Sequence, residues 1–250
     1  MSRTFYFVGH RGTRVGYDEN TMEAFQQAIK KGANVIEFDV RKTKDQKLVI
    51  FHDASLERIT TCSGKIEQIK YNQIKDCRTK KRNRKIPLLR DVLEEFFPRV
   101  KLMIELKGKN VKKNIFGQIK KYNNIQNCIF SGRQLGDLIS IQQRFPESQI
   151  CYNITKGKDL TISEFLQLGN TKELKEKPDM ISLRSSLVTK DFIHICHKNK
   201  IKALSWDFFN YSREKATNRI KDLIKIGIDG ILFDDYKNIP VIKEWIANHI

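Results

Sequence analysis

Eight strand-like segments alternate with helical patterns along this chain of 250 residues, and that alternation most constrains its fold. Alternating strands and helices predict a parallel sheet, and eight repeats favour closure into a barrel. A doubly wound open sheet is the alternative that the pattern alone allows. The predicted strands are Thr4–Gly9, Val35–Val40, Lys101–Leu106, Asn127–Phe130, Gln149–Tyr152, Met180–Leu183, Lys202–Trp206 and Gly230–Phe233.

The helices between these strands have recognisable ends. Asn20 or Thr21 can cap the first helix, and Gly32 stands where that helix is expected to terminate. Helical spacing of apolar residues predicts three later helices in the same way. They are Asp137–Phe145, Thr189–Asn199 and Arg213–Ile226.

One long interval, between Val40 and Lys101, breaks the alternation. It contains an extra strand-like segment, Leu48–His52, and then a polar stretch with the basic run Arg78–Lys85. Because its apolar residues are too few for a core of their own, we interpret roughly residues 53–90 as an insertion over the barrel mouth. Residues 1–250 are therefore predicted to form a single domain with a small insertion after the second strand.

The formal net charge of +18 is the extreme feature of the composition. It predicts attraction to anionic surfaces, such as phospholipid headgroups, nucleic acid or phosphorylated substrates. No motif supports specific nucleic-acid binding. The basic run Arg78–Lys85 fits either a solvated surface or peripheral contact with an anionic membrane. The sequence does not indicate an oligomeric state.

The cysteines and the apolar pattern indicate the compartment in which the protein is expected. The five cysteines are odd in number and lack CxxC spacing, so we expect neither a zinc site nor a disulfide framework. No apolar run approaches the roughly 18 residues of a membrane span, and no secretory leader is recognisable. These features predict a soluble, reduced protein in the cytoplasm. The cysteines are Cys62, Cys77, Cys128, Cys151 and Cys196.

Carboxylates alternate with apolar residues in the second predicted strand. Because strand side chains point alternately to opposite faces, Glu37 and Asp39 share one face, while Ile36, Phe38 and Val40 share the other. In a barrel the apolar set is expected to pack on the outer helices and the carboxylates to point inward. A half-exposed edge strand would show the same alternation and is the alternative.

Further polar residues stand at other strand ends. Glu105 and Lys107 close the third strand, His10 and Arg11 follow the first, and His52 ends the extra strand. Active sites of such barrels lie at the C-terminal ends of the strands, so these groups are expected to converge.

Three converging carboxylates repel one another by about 1–4 kcal/mol per pair, and one bound divalent cation would relieve this cost. Oxygen ligands favour Mg²⁺ or Ca²⁺, with Mn²⁺ as a further option, over zinc.

This set of groups suits hydrolysis of a phosphodiester. Arg11, Lys107 and a metal ion would neutralise charge on the phosphoryl oxygens. One of the histidines His10 and His52 would remove a proton from the attacking group, and the other would protonate the departing alkoxide.

The ordered motifs around these residues resemble the glycerophosphodiester phosphodiesterase family, and the match covers nearly the whole chain. Each motif is weak alone, but the ordered set is specific. The matching segments are Gly9-His10-Arg11-Gly12, Glu19-Asn20-Thr21, Glu37-Phe38-Asp39-Val40, His52-Asp53, Leu56-Glu57-Arg58-Ile59-Thr60, Ile86-Pro87-Leu88-Leu89, Ile104-Glu105-Leu106-Lys107 and Gly227-Ile228-Asp229-Gly230-Ile231.

The resemblance implies a TIM-type (β/α)8 barrel that hydrolyses small-molecule glycerophosphodiesters to glycerol 3-phosphate and an alcohol such as choline, ethanolamine or inositol. It implies one divalent cation on Glu37, Asp39 and Glu105, and catalytic His10 and His52. It also implies phosphate binding by Arg11 and Lys107. Trp206, at the end of a strand, is expected to line the substrate pocket or to pack on the insertion.

The chain departs from the family pattern after three strands, at Ser131-Gly132, at Asp207-Phe208-Phe209-Asn210 and at Asp234. These positions bear on the alcohol or glycerol moiety of the substrate. One alternative function is a lysophospholipase D that acts on lysolipids, for which Leu183, Phe208 and Phe209 would supply apolar surface near the mouth. The other is a catalytically silent barrel that binds anionic lipid.

Overall fold

A computed structural model describes residues 4–97, 99–108, 111–122, 125–171 and 177–250. Residues 1–3, which are part of the segment predicted to lack a secretory leader, lie outside the described residues. No helix in the described ranges has the length and apolar character needed to cross a membrane.

Within these ranges, eight parallel strands close into a barrel, and a ninth strand pairs antiparallel with the second. The order is β1-β9-β8-β7-β6-β5-β4-β2-β3, and pairing of β1 with β2 closes the ring. The predicted barrel is confirmed, and the open sheet is excluded. The strands are β1 Tyr6–Gly9, β2 Val35–Lys42, β3 Leu48–Ile50, β4 Lys101–Leu106, β5 Cys128–Gly132, β6 Gln149–Asn153, β7 Met180–Arg184, β8 Lys202–Trp206 and β9 Gly230–Phe233.

Helices follow the strands and cover the barrel from outside. Thr21, one of the two predicted caps of the first helix, accepts from the Ala24 N–H at 3.3 Å and so confirms that prediction. Thr189 caps the helix Lys190–Lys198 in the same way. The helices are α1 Met22–Lys30, α2 Tyr71–Ile74, α3 Leu89–Phe96, α4 Val111–Ile119, α5 Leu135–Arg144, α6 Ile162–Thr171, α7 Lys190–Lys198, α8 Arg213–Lys225 and α9 Asn238–His249.

Strand alternation divides the core into an outer and an inner layer. Ile36, Phe38 and Val40 belong to the large cluster between the strands and the helices, as predicted. A smaller cluster fills the barrel interior and includes Met103 and Leu204. The second layer forms the floor on which the polar side chains at the strand ends rest.

The insertion packs on β3. Its Leu56 and Ile66 are buried together with Val49 of β3 and with Phe51, which follows that strand. The buried cluster is thus shared between the insertion and residues that precede it.

The expectation of a chain without disulfides is wrong, because Cys62 and Cys77 form one. Their Cα atoms lie 5.8 Å apart, although the two residues are separated by 15 positions in the sequence. The fold of the insertion brings them together, which no spacing rule could show. The three remaining cysteines, Cys128, Cys151 and Cys196, are buried thiols that account for the odd number.

Candidate active site

The turn after β1 brings the first histidine and arginine to the barrel mouth. A Cβ on Gly9 would lie 2.8 Å from the Ala28 Cβ, so only glycine lets α1 pack this closely. Gly12 has φ +74°, and a Cβ there would lie 2.6 Å from the Ala24 backbone carbon. Arg11, between them, has φ +54°. The two glycines therefore shape a turn that presents the side chains between them.

Three buried carboxylates meet at the C-terminal ends of β2 and β4. The parallel register places Asp39 opposite Glu105, and Glu37 lies one step back on the same face of β2. Each of the three residues offers an oxygen, and these oxygens all lie within 4.8 Å of one another. The predicted convergence of Glu37, Asp39 and Glu105 is therefore present.

The environment of this trio suits a divalent cation. Burial, together with the charges of Asp39 and Glu105, raises the pKa of Glu37 well above its usual value. Glu37 Oε2 accepts the Arg11 backbone N–H at 2.7 Å, but Oε1 is buried without a hydrogen-bond partner among the described residues. An unsatisfied carboxylate oxygen beside two further carboxylates matches the ligands that Mg²⁺, Ca²⁺ and Mn²⁺ prefer. The residues thus fit a bound cation.

Two cations and an amide hold Asp39 in place. Lys107 Nζ lies 3.2 Å from Asp39 Oδ1 and also pairs with Glu105. Arg11 Nε lies 3.3 Å from Asp39 Oδ2, and Asn20 Nδ2 donates to the same oxygen at 2.8 Å. Burial alone would raise the pKa of Asp39, but Lys107 and Arg11 hold it well below its usual range. Asp39 is therefore ionised and oriented.

His10 is oriented by a carboxylate at the end of the last strand. Its Nδ1 lies 2.8 Å from Asp234 Oδ1, and its Nε2 lies 4.0 Å from Glu37 Oε2. Burial would raise the pKa of Asp234, but His10 and Arg14 lower it to about 2. The Phe208 N–H also donates to Asp234 Oδ2 at 2.9 Å. An ionised partner at Nδ1 keeps a proton there and leaves Nε2 toward the carboxylate trio.

His52 has a matching arrangement on the side of the insertion. Its Nδ1 lies 2.6 Å from Asp53 Oδ1. Arg58, from the insertion, donates to Asp53 and to Glu19 of the β1–α1 loop. Burial lowers the pKa of His52 despite the opposing charge of Asp39. The insertion thus positions the second histidine and favours its neutral form.

These side chains line one cavity, whose two sides differ in origin. One side, the near wall, comes from β2, from β4 and from the segments that follow β1, β3 and β4. The near wall includes His10, Arg11, Arg14, Glu37, His52, Glu105 and Lys107. The other side, the far wall, comes from the C-terminal ends of β5 to β8 and from the segments that follow them. The far wall includes Arg133, Asn153, Lys156, Ser182, Arg184, Trp206 and Asp207.

The far wall presents polar atoms that lack partners. Asn153 Oδ1 and Trp206 Nε1 are buried without a hydrogen bond to any described residue. Trp206 packs on the inner cluster, and the Arg184 guanidinium carbon lies 5.4 Å from the centre of a Trp206 ring. Buried polar atoms without protein partners indicate a surface that a ligand completes.

Seven of the predicted site residues line this cavity, and Asp39 lies buried beside them. The cavity residues are His10, Arg11, Glu37, His52, Glu105, Lys107 and Trp206. Their chemical roles stay predictions.

Two of the three residues that were predicted to offer apolar surface to a lipid are buried. Leu183 and Phe208 are buried in the outer cluster, because they face the helices. Phe209 is exposed, and the Arg14 guanidinium carbon lies 4.1 Å from the centre of its ring.

Sequence reasoning missed the role of Asp234 and the contribution of the far wall. Asp234 directly follows β9, so the rule that selected the other strand-end residues could have found it. Arg133 follows β5 in the same way. Lys156 is the last residue of a short 3-10 helix beyond β6, Ile154–Lys156, which is too brief to show a periodic signal in the sequence.

Comparison with known proteins gives a match over residues 10–238 to the glycerophosphoryl diester phosphodiesterase family. A glycerophosphodiester phosphodiesterase of Bacillus altitudinis is 27% identical over 241 residues, which cover 90% of this chain and 92% of the relative. A human lysophospholipase D is 33% identical over 130 residues, which cover 46% of this chain and 41% of that protein.

Solved structures share the same architecture. A glycerophosphodiester phosphodiesterase from Thermotoga maritima aligns with a TM-score of 0.76 and 25% identity, over 98% of this chain and 100% of that one. A putative glycerophosphoryl diester phosphodiesterase from Silicibacter pomeroyi aligns with a TM-score of 0.81 and 18% identity, over 98% and 95% of the two chains. The second likeness bears on the fold alone.

Proposed function

Since this chain belongs to the glycerophosphoryl diester phosphodiesterase family, we propose that it hydrolyses glycerophosphodiesters to glycerol 3-phosphate and an alcohol with the help of one divalent cation and two histidines. The observation that carries the proposal is that three buried carboxylates, the cations Arg11 and Lys107, and two histidines lie at one cavity. Each histidine has a carboxylate beside its Nδ1. These groups come from separate segments of the chain.

Glu37, Asp39 and Glu105 would hold the cation, which when bound would withdraw electrons from a phosphoryl oxygen. Lys107 and Arg11 keep Asp39 ionised, and both line or border the position where the phosphate would lie. Their positive charges would stabilise the negative charge that develops on the phosphoryl oxygens.

His10 and His52 would divide the proton transfers. Each has its Nδ1 held by a carboxylate, Asp234 or Asp53, so that each Nε2 is left for the substrate. One Nε2 would take the proton of the attacking group, and the other would deliver a proton to the departing alkoxide. Trp206 would pack against the carbon atoms of the substrate.

The test is hydrolysis of glycerophosphocholine by protein stripped of metal with a chelator. We expect release of choline and glycerol 3-phosphate only after Mg²⁺, Ca²⁺ or Mn²⁺ is restored. A His10→Gln variant is expected to lose about 10²–10⁴-fold in kcat, while calorimetric binding of the cation persists. Full activity in the chelated protein, or in the variant, would refute the proposal.

The lysophospholipase D alternative is supported by the similarity to the human enzyme. Burial of Leu183 and Phe208 weighs against it, because these residues offer no surface to an acyl chain. Turnover of lysophosphatidylcholine without turnover of glycerophosphocholine would favour this alternative. The complete set of polar groups weighs against a catalytically silent barrel.

Contact with an anionic membrane is a separate proposal for the basic run. Arg84 pairs with Glu23, whereas Lys81 and Lys85 are exposed and lack ion pairs within the described chain. Each exposed lysine near an anionic leaflet would contribute about 1 kcal/mol. Co-sedimentation with phosphatidylserine vesicles that survives a Lys81→Gln/Lys85→Gln change would refute this role.

Cytoplasmic location stays a prediction, and the Cys62–Cys77 disulfide weighs against it. Disulfides persist in oxidising compartments and are rare in reducing ones. Alkylation of cell extracts under non-reducing conditions would show whether the pair is oxidised in its native setting.

A further inference from the structure

We propose that the far wall contains a second anion subsite, formed by Arg133 and Lys156, which selects glycerophosphodiesters whose alcohol carries an additional phosphate group. The inference deepens the proposed function and rests on it, since it concerns the same cavity. It arises from a surplus of positive charge on one side of that cavity only.

The cations of the near wall already have partners. Arg11 pairs with Glu19 and Asp39, at 2.8 and 3.3 Å. Lys107 pairs with Asp39 and Glu105. Arg14 also has two carboxylate partners, one of which is Glu19 at 3.2 Å. Because neighbouring carboxylates offset these charges, no second anion is needed to neutralise the near wall.

The far wall differs in this respect. Arg184 pairs with Asp207 at 3.0 Å, but Arg133 and Lys156 have no ion pair within the part of the chain that the structure describes. Arg133 Nε is in addition buried without a hydrogen-bond partner there. Arg133 lines the same cavity as the positively charged Lys107. Like charges held close together are costly unless an anion joins them.

The backbone holds this subsite in a fixed shape. The Lys158 N–H donates to the Arg133 carbonyl oxygen at 2.9 Å, which joins the loops after β5 and β6. The Arg184 N–H donates to Thr155 Oγ1 at 2.9 Å, which joins the end of β7 to the segment after β6. The two unpaired cations therefore stand on connected loops, and an anion would bind with little reorganisation.

The charge balance specifies the kind of anion. The phosphodiester itself would be bound on the near wall by the cation, Arg11 and Lys107. Arg133 and Lys156 then remain, and their charge matches a phosphate monoester near its dianionic form. Arginine binds phosphate through paired N–H groups, and lysine binds it as a point charge.

The test compares two substrates that differ by one phosphate, glycerophosphoglycerol and the same diester with a terminal phosphate monoester. We expect wild-type kcat/KM to be at least about tenfold higher for the phosphorylated diester, as charge-assisted hydrogen bonds predict. Arg133→Gln and Lys156→Gln are each expected to lower this ratio about tenfold. Two exposed cations outside the cavity, Arg144 and Lys120, supply matched controls, and their glutamine variants should keep the wild-type ratio.

The outcomes separate the two proposals. Equal kcat/KM for both diesters in the wild type, or an unchanged ratio in both far-wall variants, overturns the subsite and leaves the proposed hydrolysis intact. Failure to cleave either diester in the presence of Mg²⁺, Ca²⁺ or Mn²⁺ refutes the proposed function, and it refutes the subsite as well. Because Lys156 is exposed, its variant should fold even if Arg133→Gln does not, and circular dichroism checks both.

Discussion

The two walls of the cavity differ in how their charges are used. On the near wall, the cations and both histidines have carboxylate partners, and Asp234 and Asp53 fix the two imidazole rings. On the far wall, Arg133 and Lys156 have no ion pair within the described residues. Groups that react need a fixed orientation before substrate arrives, whereas groups that select a substrate can be completed by it.

This contrast agrees with the distribution of the family motifs. The segments that resemble the family supply the near wall, and two of the three departures, at Ser131-Gly132 and after Trp206, occur around the far wall. The third departure, at Asp234, adjoins the near wall. We therefore expect changes on the near wall to reduce hydrolysis of every diester. Changes on the far wall are expected to alter the ranking of diesters.

The largest effect is expected for Glu37→Gln. This change keeps the size of the side chain but removes a charge from the trio, so cation affinity should fall at least about tenfold and kcat about thousandfold. Calorimetric titration with Mn²⁺ measures the first effect, and a glycerophosphocholine assay the second. Glu94→Gln, on an exposed position of α3, is the matched control. Unaltered Mn²⁺ affinity would show that the three carboxylates do not hold the cation.

The second prediction concerns the disulfide that closes the insertion behind the near wall. A Cys62→Ser/Cys77→Ser variant opens a loop of 15 residues, which is expected to lower the free energy of unfolding by about 3 kcal/mol. Urea denaturation of both proteins, with and without a reductant, gives the difference. The reductant should destabilise only the wild type. An equal response of the two proteins would show that the bond does not stabilise the insertion.

Strand positions and inward faces were predictable, because a period of two assigns every side chain of a buried strand to one face. This is why Glu37, Asp39 and Glu105 could be placed together. The same rule would have placed Leu183 on the outer face, since its neighbour Ser182 lines the cavity. The prediction for Leu183 was wrong because it was based on closeness to the barrel mouth and not on the alternation of side chains along the strand.

Other features could not be predicted, because they depend on irregular backbone. The Cys62–Cys77 pair requires the fold of the insertion, and Lys156 reaches the cavity from a segment beyond β6. Arg58 illustrates the same limit. Its motif was visible in the sequence, but its bridge from Asp53 to Glu19 appears only when two distant loops meet.

The third prediction distinguishes orientation from mere packing on the near wall. Asp234→Asn keeps the shape of the partner of His10 but removes its charge, so the proton at Nδ1 is no longer favoured. We expect kcat for glycerophosphocholine to fall by about 10- to 100-fold, with little change in KM and a shifted pH–rate profile. Asp235→Asn, which changes the next residue, should leave the profile unchanged. A loss confined to thermal stability would assign Asp234 to packing alone.

The smallest effect is expected for Arg84→Ala, which removes an ion pair between the insertion and α1, behind the near wall. Arg84 Nε lies 2.8 Å from Glu23 Oε2 on α1, and both side chains are partly exposed. Exposed ion pairs contribute little, so Arg84→Ala should lower the free energy of unfolding by about 0.5 kcal/mol. Lys85→Ala, on the adjacent exposed residue, is the control and should have no measurable effect.

If the arginine only fastens the insertion, its loss should reduce turnover of both glycerophosphoglycerol and its phosphorylated form by the same factor. A change in their ratio would mean that the insertion also acts on the far wall, and the division between the two walls would then have to be redrawn. Urea denaturation and parallel kinetic assays of the two variants separate these results.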